Sequence, residues 1–232
     1  MTRLILVGGG SSSGKSYVTD KVINNIGIDK VTKITIDDYY KDQTNMPMEE
    51  RIKENYDHPK AFDWKLMRKQ IDDLRDGKSI EKPVYDYKIH NRSSKVEIIQ
   101  PKELVIVEGI MALVDKKLRD MAHLKVFIKA SPEVRFLRRF IRDHLERKRS
   151  YENIVSQYLK TVAPMYKEIV EPSSNYADII VNNDDGVANA SIEVLTCVFK
   201  NELIMATDGI DHMYHANNEF TEELLSSVFS KE

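Results

Sequence analysis

Gly9-Gly10-Ser11-Ser12-Ser13-Gly14-Lys15-Ser16 is the stretch of this chain whose residue types and spacing are best suited to chemistry. It follows the apolar run Leu4-Ile5-Leu6-Val7 and precedes a segment with helical patterning. Strand, G-x-x-x-x-G-K-[ST], helix is the context in which such a loop cradles phosphates. Glycine and serine let successive backbone N–H groups turn inward around an anion, and a following helix aims its positive end at the same charge. Lys15 would reach the β- and γ-phosphates of a bound nucleotide, and the Ser16 hydroxyl would sit on Mg²⁺. A Gly/Ser turn that merely contains Lys-Ser is the plainer alternative.

Two carboxylates follow later strand candidates. Asp37, in Asp37-Asp38-Tyr39-Tyr40, is placed to orient a substrate hydroxyl and accept its proton late in phosphoryl transfer. A solvent-facing acidic turn would use the same residues. Glu108, after Val105-Ile106-Val107, could hold Mg²⁺ directly or through water, or cap a nearby turn. Between them, Pro83-Val84-Tyr85-Asp86-Tyr87 and Lys95-Val96-Glu97-Ile98-Ile99 alternate around a polar turn, which predicts a projecting β-hairpin. Its Tyr85, Tyr87, His90 and Arg92 could enclose a planar ring, or the tyrosines could simply stabilise the hairpin. A basic run, Arg135, Arg138, Arg139, Arg142, Arg147, Lys148 and Arg149, places most of its charges on one broad helical face. It reads as a solvated face, a nucleic-acid patch, or a lid whose guanidinium groups close over a transferring phosphoryl group.

The elements that must position these groups alternate along the chain. Strands are expected at Arg3–Val7, Val31–Ile36, Glu103–Val107, Leu124–Lys129 and Asp178–Val181. Helices are expected at Lys15–Asn25, Asp63–Asp76, Pro132–Arg147, Tyr151–Ile169 and Val187–Leu203, with Gly77 ending the second and Ser131-Pro132-Glu133 opening the third. Apolar strands separated by helices imply an α/β fold with a mostly parallel sheet covered on both faces, whose ligands collect beyond the strands' carboxyl ends.

At 232 residues the chain can bury one substantial core. A net charge of −2 gives no general attraction to nucleic acid or acidic membrane, and the absence of a long apolar run speaks against a membrane span. The single cysteine, Cys197, excludes an internal disulfide framework and suits a reducing compartment. Its apolar surroundings predict a buried side chain. The first strand begins at once, so the expected location is the cytoplasm.

Taken in order, the phosphate loop, Asp37-Asp38-Tyr39-Tyr40, Tyr56-Asp57-His58-Pro59 through Asp63, the Pro83–Tyr87 segment with His90 and Arg92, Glu108-Gly109, Arg138-Arg139 with Arg142-Asp143, Gln157-Tyr158, and Pro164 through Asp178 resemble the uridine (uridine–cytidine) kinase family of P-loop kinases. The resemblance runs from Leu4 to Val181 and implies one kinase domain spanning 1–232. Its parts would be a substrate hairpin at 81–100, an arginine-rich helical lid at 132–150 and a carboxyl-terminal helical segment at 201–232. It implies ATP and Mg²⁺, a nucleoside substrate, a role in pyrimidine salvage, and a homotetramer without nucleic-acid or membrane partners. Asp37 would act on the ribose 5′-hydroxyl and Asp57 would hold the ribose hydroxyls. Tyr85, Tyr87 and His90 would enclose the pyrimidine. Arg139, Arg149 and Gln157 would lie near the nucleoside, and Arg142 and Arg147 would approach ATP. Lys148 stands where the family usually has glycine, so the lid should hinge differently or continue as helix. The rival expectations are a kinase for another small alcohol, such as ribulose 5-phosphate or pantothenate, and a nucleotide-binding regulator without catalysis. A GTP switch lacks its N-K-x-D motif here.

Overall fold

The computed structural model describes residues 2–185 and 189–209. Its strands are β1 (Arg3–Gly9), β2 (Val31–Thr35), β3 (Ile80–Asp86), β4 (Asn91–Ile99), β5 (Leu104–Glu108), β6 (Leu124–Lys129) and β7 (Ile179–Asn182). Five form one sheet in the order β2-β5-β1-β6-β7, every pairing parallel. β1 is central and buried along its whole length. Its pleat sends Leu4 and Leu6 into one apolar cluster and Ile5 and Val7 into another, so the sheet carries a core on each face. Each such aliphatic side chain contributes about 1.5–3 kcal/mol by burial.

The helices are α1 (Lys15–Ile26), α2 (Met48–Arg51), α3 (Trp64–Arg75), α4 (Lys116–Met121), α5 (Pro132–Leu145), α6 (Tyr151–Gln157), α7 (Ala163–Met165) and α8 (Asn189–Thr207). α1 and α8 cover the face holding Ile5 and Val7, where Val18, Val22, Leu195 and Phe199 pack together. α3 covers the other face through Met67, Ile71 and Leu74. It opens on Asp63, whose side chain accepts from the Leu66 N–H at 3.1 Å. It closes as expected, with Gly77 at φ 76° and paired bonds from Gly77 N to Leu74 O and from Lys78 N to Asp73 O.

Several expectations shift in the structure. β2 ends at Thr35, and Ile36–Tyr39 forms a 3₁₀ turn that carries Asp37 off the sheet. β5 includes Glu108 instead of stopping before it. The helix expected at Pro132–Arg147 stops at Leu145, and Lys148 adopts φ 55°, so the chain turns there instead of continuing. The helix expected at Tyr151–Ile169 is regular only in α6 and α7, each followed by a π-helical turn, Tyr158–Val162 and Tyr166–Val170. Pro164 has no N–H to donate and crowds the carbonyl one turn back, which a widened ladder relieves.

Cys197 is exposed, because the buried stripe of α8 runs through Ile192, Leu195, Thr196 and Phe199 and leaves position 197 outside it. Residues 201–207 continue α8, and Glu202 pairs in the core with Arg3. The rest of the expected carboxyl-terminal segment, from 210, lies outside the described residues. Among those residues, no helix is long and apolar enough to cross a membrane.

Candidate active site

The carboxyl ends of β1, β2 and β5 open on a cavity of about 220 Å³. Ser11, Ser12, Lys15 and Ser16 line it from the phosphate loop, and Asp37, Asp57 and Glu108 supply its carboxylates. Tyr85, Tyr87 and His90 reach it from the hairpin, and Arg139, Arg142, Arg147, Arg149 and Gln157 from the arginine-rich side. Side chains spread over more than 140 positions of sequence thus meet in one place.

The loop has the geometry its sequence requires. Ser12 sits at φ 60° and Gly14 at φ 90°, the left-handed turns that point successive N–H groups inward. A Cβ on Gly14 would stand 2.1 Å from Asn183 Nδ2, the amide that donates to Ser13 O at 2.7 Å. Gly9, Gly10, Ser13 and Gly14 therefore do not line the cavity. Gly9 ends β1 against the Ile128 carbonyl, Gly10 rests on Arg135 and Tyr166, and Ser13 is buried behind the loop. Lys15 Nζ reaches back to Gly10 O at 3.4 Å. Burial lowers its pKa, against the opposing pull of Glu108 and Asp37.

Asp37 is half-buried, and loss of solvent around it raises its carboxyl above the usual aspartate value. Lys15 pulls the other way, and Asp57 and Asp38 reinforce the rise. The Tyr87 hydroxyl donates to Asp37 Oδ2 at 3.4 Å. Asp57 is likewise raised by burial, with Arg139 and a 3.2 Å hydrogen bond from Thr161 opposing. Neighbouring Asp38 turns the other way and pairs with Lys82 on β3, which also meets Glu97 at 3.2 Å. The hairpin is therefore tied to the turn that carries Asp37.

The hairpin spans 80–99 and ends close to the expected bounds. Tyr85 is only 6% exposed and packs its ring against Tyr40, Tyr56 and Tyr87 at centroid distances of 4.9, 6.1 and 5.1 Å. It serves the core and the cavity wall together. Tyr87 is half exposed. His90 occupies the hairpin turn at φ 48°, with its ring 5.6 Å from that of Tyr56. Burial and Arg149 lower its pKa, which favours the neutral ring. Arg92 is not part of the cavity lining and pairs with Asp63 at 3.3 Å.

On the opposite wall, Gln157 Oε1 accepts from Arg139 at 2.9 Å and from Arg149 at 2.8 Å. Arg139 also donates to Ser11 Oγ at 2.8 Å, joining this wall to the phosphate loop. Glu108 carries a buried oxygen, Oε2, without a hydrogen-bond partner, while Lys33 lies 3.5 Å from Oε1. An unsatisfied carboxylate oxygen in the cavity that Ser16 also lines fits a divalent cation that takes its remaining ligands from phosphates and water. Among the described residues, no three His, Cys, Asp or Glu side chains cluster so as to hold a metal ion by themselves.

Sequence reasoning assigned no role to Tyr40, Tyr56 or Thr161, because burial and partner choice at these positions follow from the fold. Lys82 was legible only as one more hairpin lysine.

Comparison with known proteins decides the family. The model of the phosphoribulokinase / uridine kinase family matches residues 4–188. The chain belongs to that family. A uridine kinase of Ligilactobacillus salivarius is 47% identical over 192 residues, covering 83% of this chain and 90% of that protein. A uridine kinase of Clostridium tetani is 44% identical over 181 residues, covering 77% and 87%. Among solved structures, phosphoribulokinase from Rhodobacter spheroides superposes with a TM-score of 0.60 at 16% identity, over 78% of this chain and 70% of that one. That likeness establishes the shared P-loop kinase fold.

Proposed function

We propose that this enzyme transfers the γ-phosphate of ATP to the 5′-hydroxyl of uridine, and of cytidine. The observation that carries the reading is a cavity in which a phosphate loop, a half-buried aspartate and an aromatic hairpin face one another. The relatives named uridine kinase support the choice of acceptor.

In this reading Asp37 orients the 5′-hydroxyl and accepts its proton as the bond to phosphorus forms. Asp57 holds the ribose hydroxyls, with Thr161 fixing its carboxylate. Tyr85 and Tyr87 flank the pyrimidine, and His90 reads its polar edge. Arg139, Arg149 and Gln157 close the nucleoside side. Lys15 and the loop N–H groups hold the triphosphate, and Arg142 and Arg147 form a lid that offsets charge on the moving phosphoryl group. Glu108 and Ser16 would hold Mg²⁺, which would supply neutralising charge to the triphosphate. The family resemblance further supports one domain over 1–232, a cytoplasmic setting, a place in pyrimidine salvage and a homotetrameric assembly.

The test is Mg²⁺-dependent ADP formation from ATP with uridine, cytidine, adenosine and ribulose 5-phosphate in parallel. Turnover with the pyrimidine nucleosides alone is expected. Turnover only with the sugar phosphate, or with none of them, would overturn the substrate assignment.

A further inference from the structure

The arginine-rich wall is built around one carboxylate. Asp143 has a side chain with no exposure to solvent, and four guanidinium groups converge on it. Arg142 lies 2.8 Å from it, Arg147 and Arg149 lie 3.3 Å away, and Arg139 lies 3.6 Å away. All four arginines line the cavity, and Asp143 does not. Burial alone would raise the Asp143 carboxyl, but the surrounding arginines hold it below the usual aspartate value, so it is anionic at neutral pH.

The chain is bent to make this cluster possible. α5 ends at Leu145, Lys148 takes the left-handed conformation, and the Arg149 N–H returns to the Asp143 carbonyl at 3.1 Å. That loop carries Arg147 and Arg149 back to the carboxylate that Arg139 and Arg142 reach from the helix. Four positive charges this close repel one another, and one central anion offsets part of that repulsion.

We infer that Asp143 is a positioning residue that aims four cavity arginines and competes with the triphosphate for two of them, Arg142 and Arg147. This role rests on the phosphoryl-transfer reading of the cavity. A triphosphate entering beside Lys15 meets arginines already paired, so their full charge is not spent on ground-state binding. Interactions realised only as charge moves in the transition state raise turnover, whereas equal binding of both states does not. Asp143 therefore lowers nucleotide affinity while raising kcat.

Two substitutions in the full chain separate charge from placement. Asp143→Asn keeps the shape and removes the anion. It should tighten binding of inorganic tripolyphosphate, measured by calorimetry, at least fivefold, and lower kcat at least tenfold. A packing defect does not tighten binding, so this split distinguishes positioning from a merely structural role. Asp143→Glu keeps the charge but moves it by one methylene. It should leave tripolyphosphate affinity within twofold of wild type and still lower kcat at least tenfold, with rates normalised to the calorimetric site count. If the amide does not fold, the glutamate variant decides alone. Unchanged or weaker tripolyphosphate binding in Asp143→Asn, or wild-type kcat in Asp143→Glu, would overturn the inference. Tripolyphosphate reports on the arginines without any nucleoside. A wild-type enzyme idle toward uridine would thus defeat the substrate reading and leave the affinity comparison standing.

Discussion

Replacing Asp37 by Asn tests the centre of the mechanism, because the structure separates what the change should lose from what it should keep. The amide oxygen can still accept from the Tyr87 hydroxyl, which lies 3.4 Å from Oδ2 in the native chain, so geometry survives. The proton acceptor does not. A positioned general base contributes about 10²–10⁴-fold. Phosphoryl transfer through a loose transition state needs the base late, which favours the lower part of that range. Turnover should fall about 10²- to 10³-fold, equivalent to about 3–4 kcal/mol in the barrier. The ATP KM should stay the same or decrease, because one negative charge near Lys15 is gone. Stability should move the other way. Burial raises the Asp37 carboxyl, so the folded state holds this proton more tightly than the unfolded chain does. Such a group contributes stability below its unfolded pKa, and that contribution is lost as pH rises through the folded value. Where the folded carboxyl is ionised it is so against that burial, and Asn removes the cost, so Tm at pH 7 should rise. ADP release under saturating substrates, ATP titration and a thermal melt at pH 7 measure all three. Turnover within threefold of wild type would remove Asp37 from the chemistry, and a lower Tm would refute the electrostatic account.

The same raised pKa predicts that kcat/KM for ATP climbs with pH through an apparent value above that of an ordinary aspartate; a flat profile from pH 4 to 7 would contradict it. His90→Asn retains a residue that tolerates the left-handed turn but removes the imidazole. It should raise the uridine KM about tenfold, near the value of one hydrogen bond, and leave the ATP KM within twofold. Equal effects on both would mean the hairpin does not read the base. Lys148→Gly removes a left-handed strain of about 1–2 kcal/mol while adding about 0.5–1 kcal/mol of unfolded-chain entropy. Thermal melts should show Tm higher by about 1–3 °C, and a lower Tm would show that the lysine conformation is not strained.

The sequence by itself determined the phosphate loop and the parallel α/β fold, which depend on local patterning: apolar runs for buried strands, glycine at enforced turns, and charged residues just beyond strand ends. Asp57, Arg149 and Gln157 in the cavity lining were expected only from the family resemblance. Lys15, Ser16, Asp37 and Glu108 could be named because a parallel sheet delivers strand ends to one edge. Where each side chain spends its charge was not legible. Asp37 could be preferred to its neighbour Asp38 because it lies nearer the strand end, but that Asp38 pairs with Lys82 follows only from the turn Ile36–Tyr39 and the docked hairpin. Cys197 lies in an apolar stretch but faces solvent, because only the stripe through Leu195 and Phe199 meets the sheet. The arginine run showed a charged helical face without its organiser. Asp143 became visible only when the bend at Lys148 brought Arg147 and Arg149 back to a carboxylate that Arg139 and Arg142 already shared. Local pattern dictates which residues lie at an edge or on a face. Which opposite charges meet there depends on distances between segments far apart in the chain, and only the packed structure sets those.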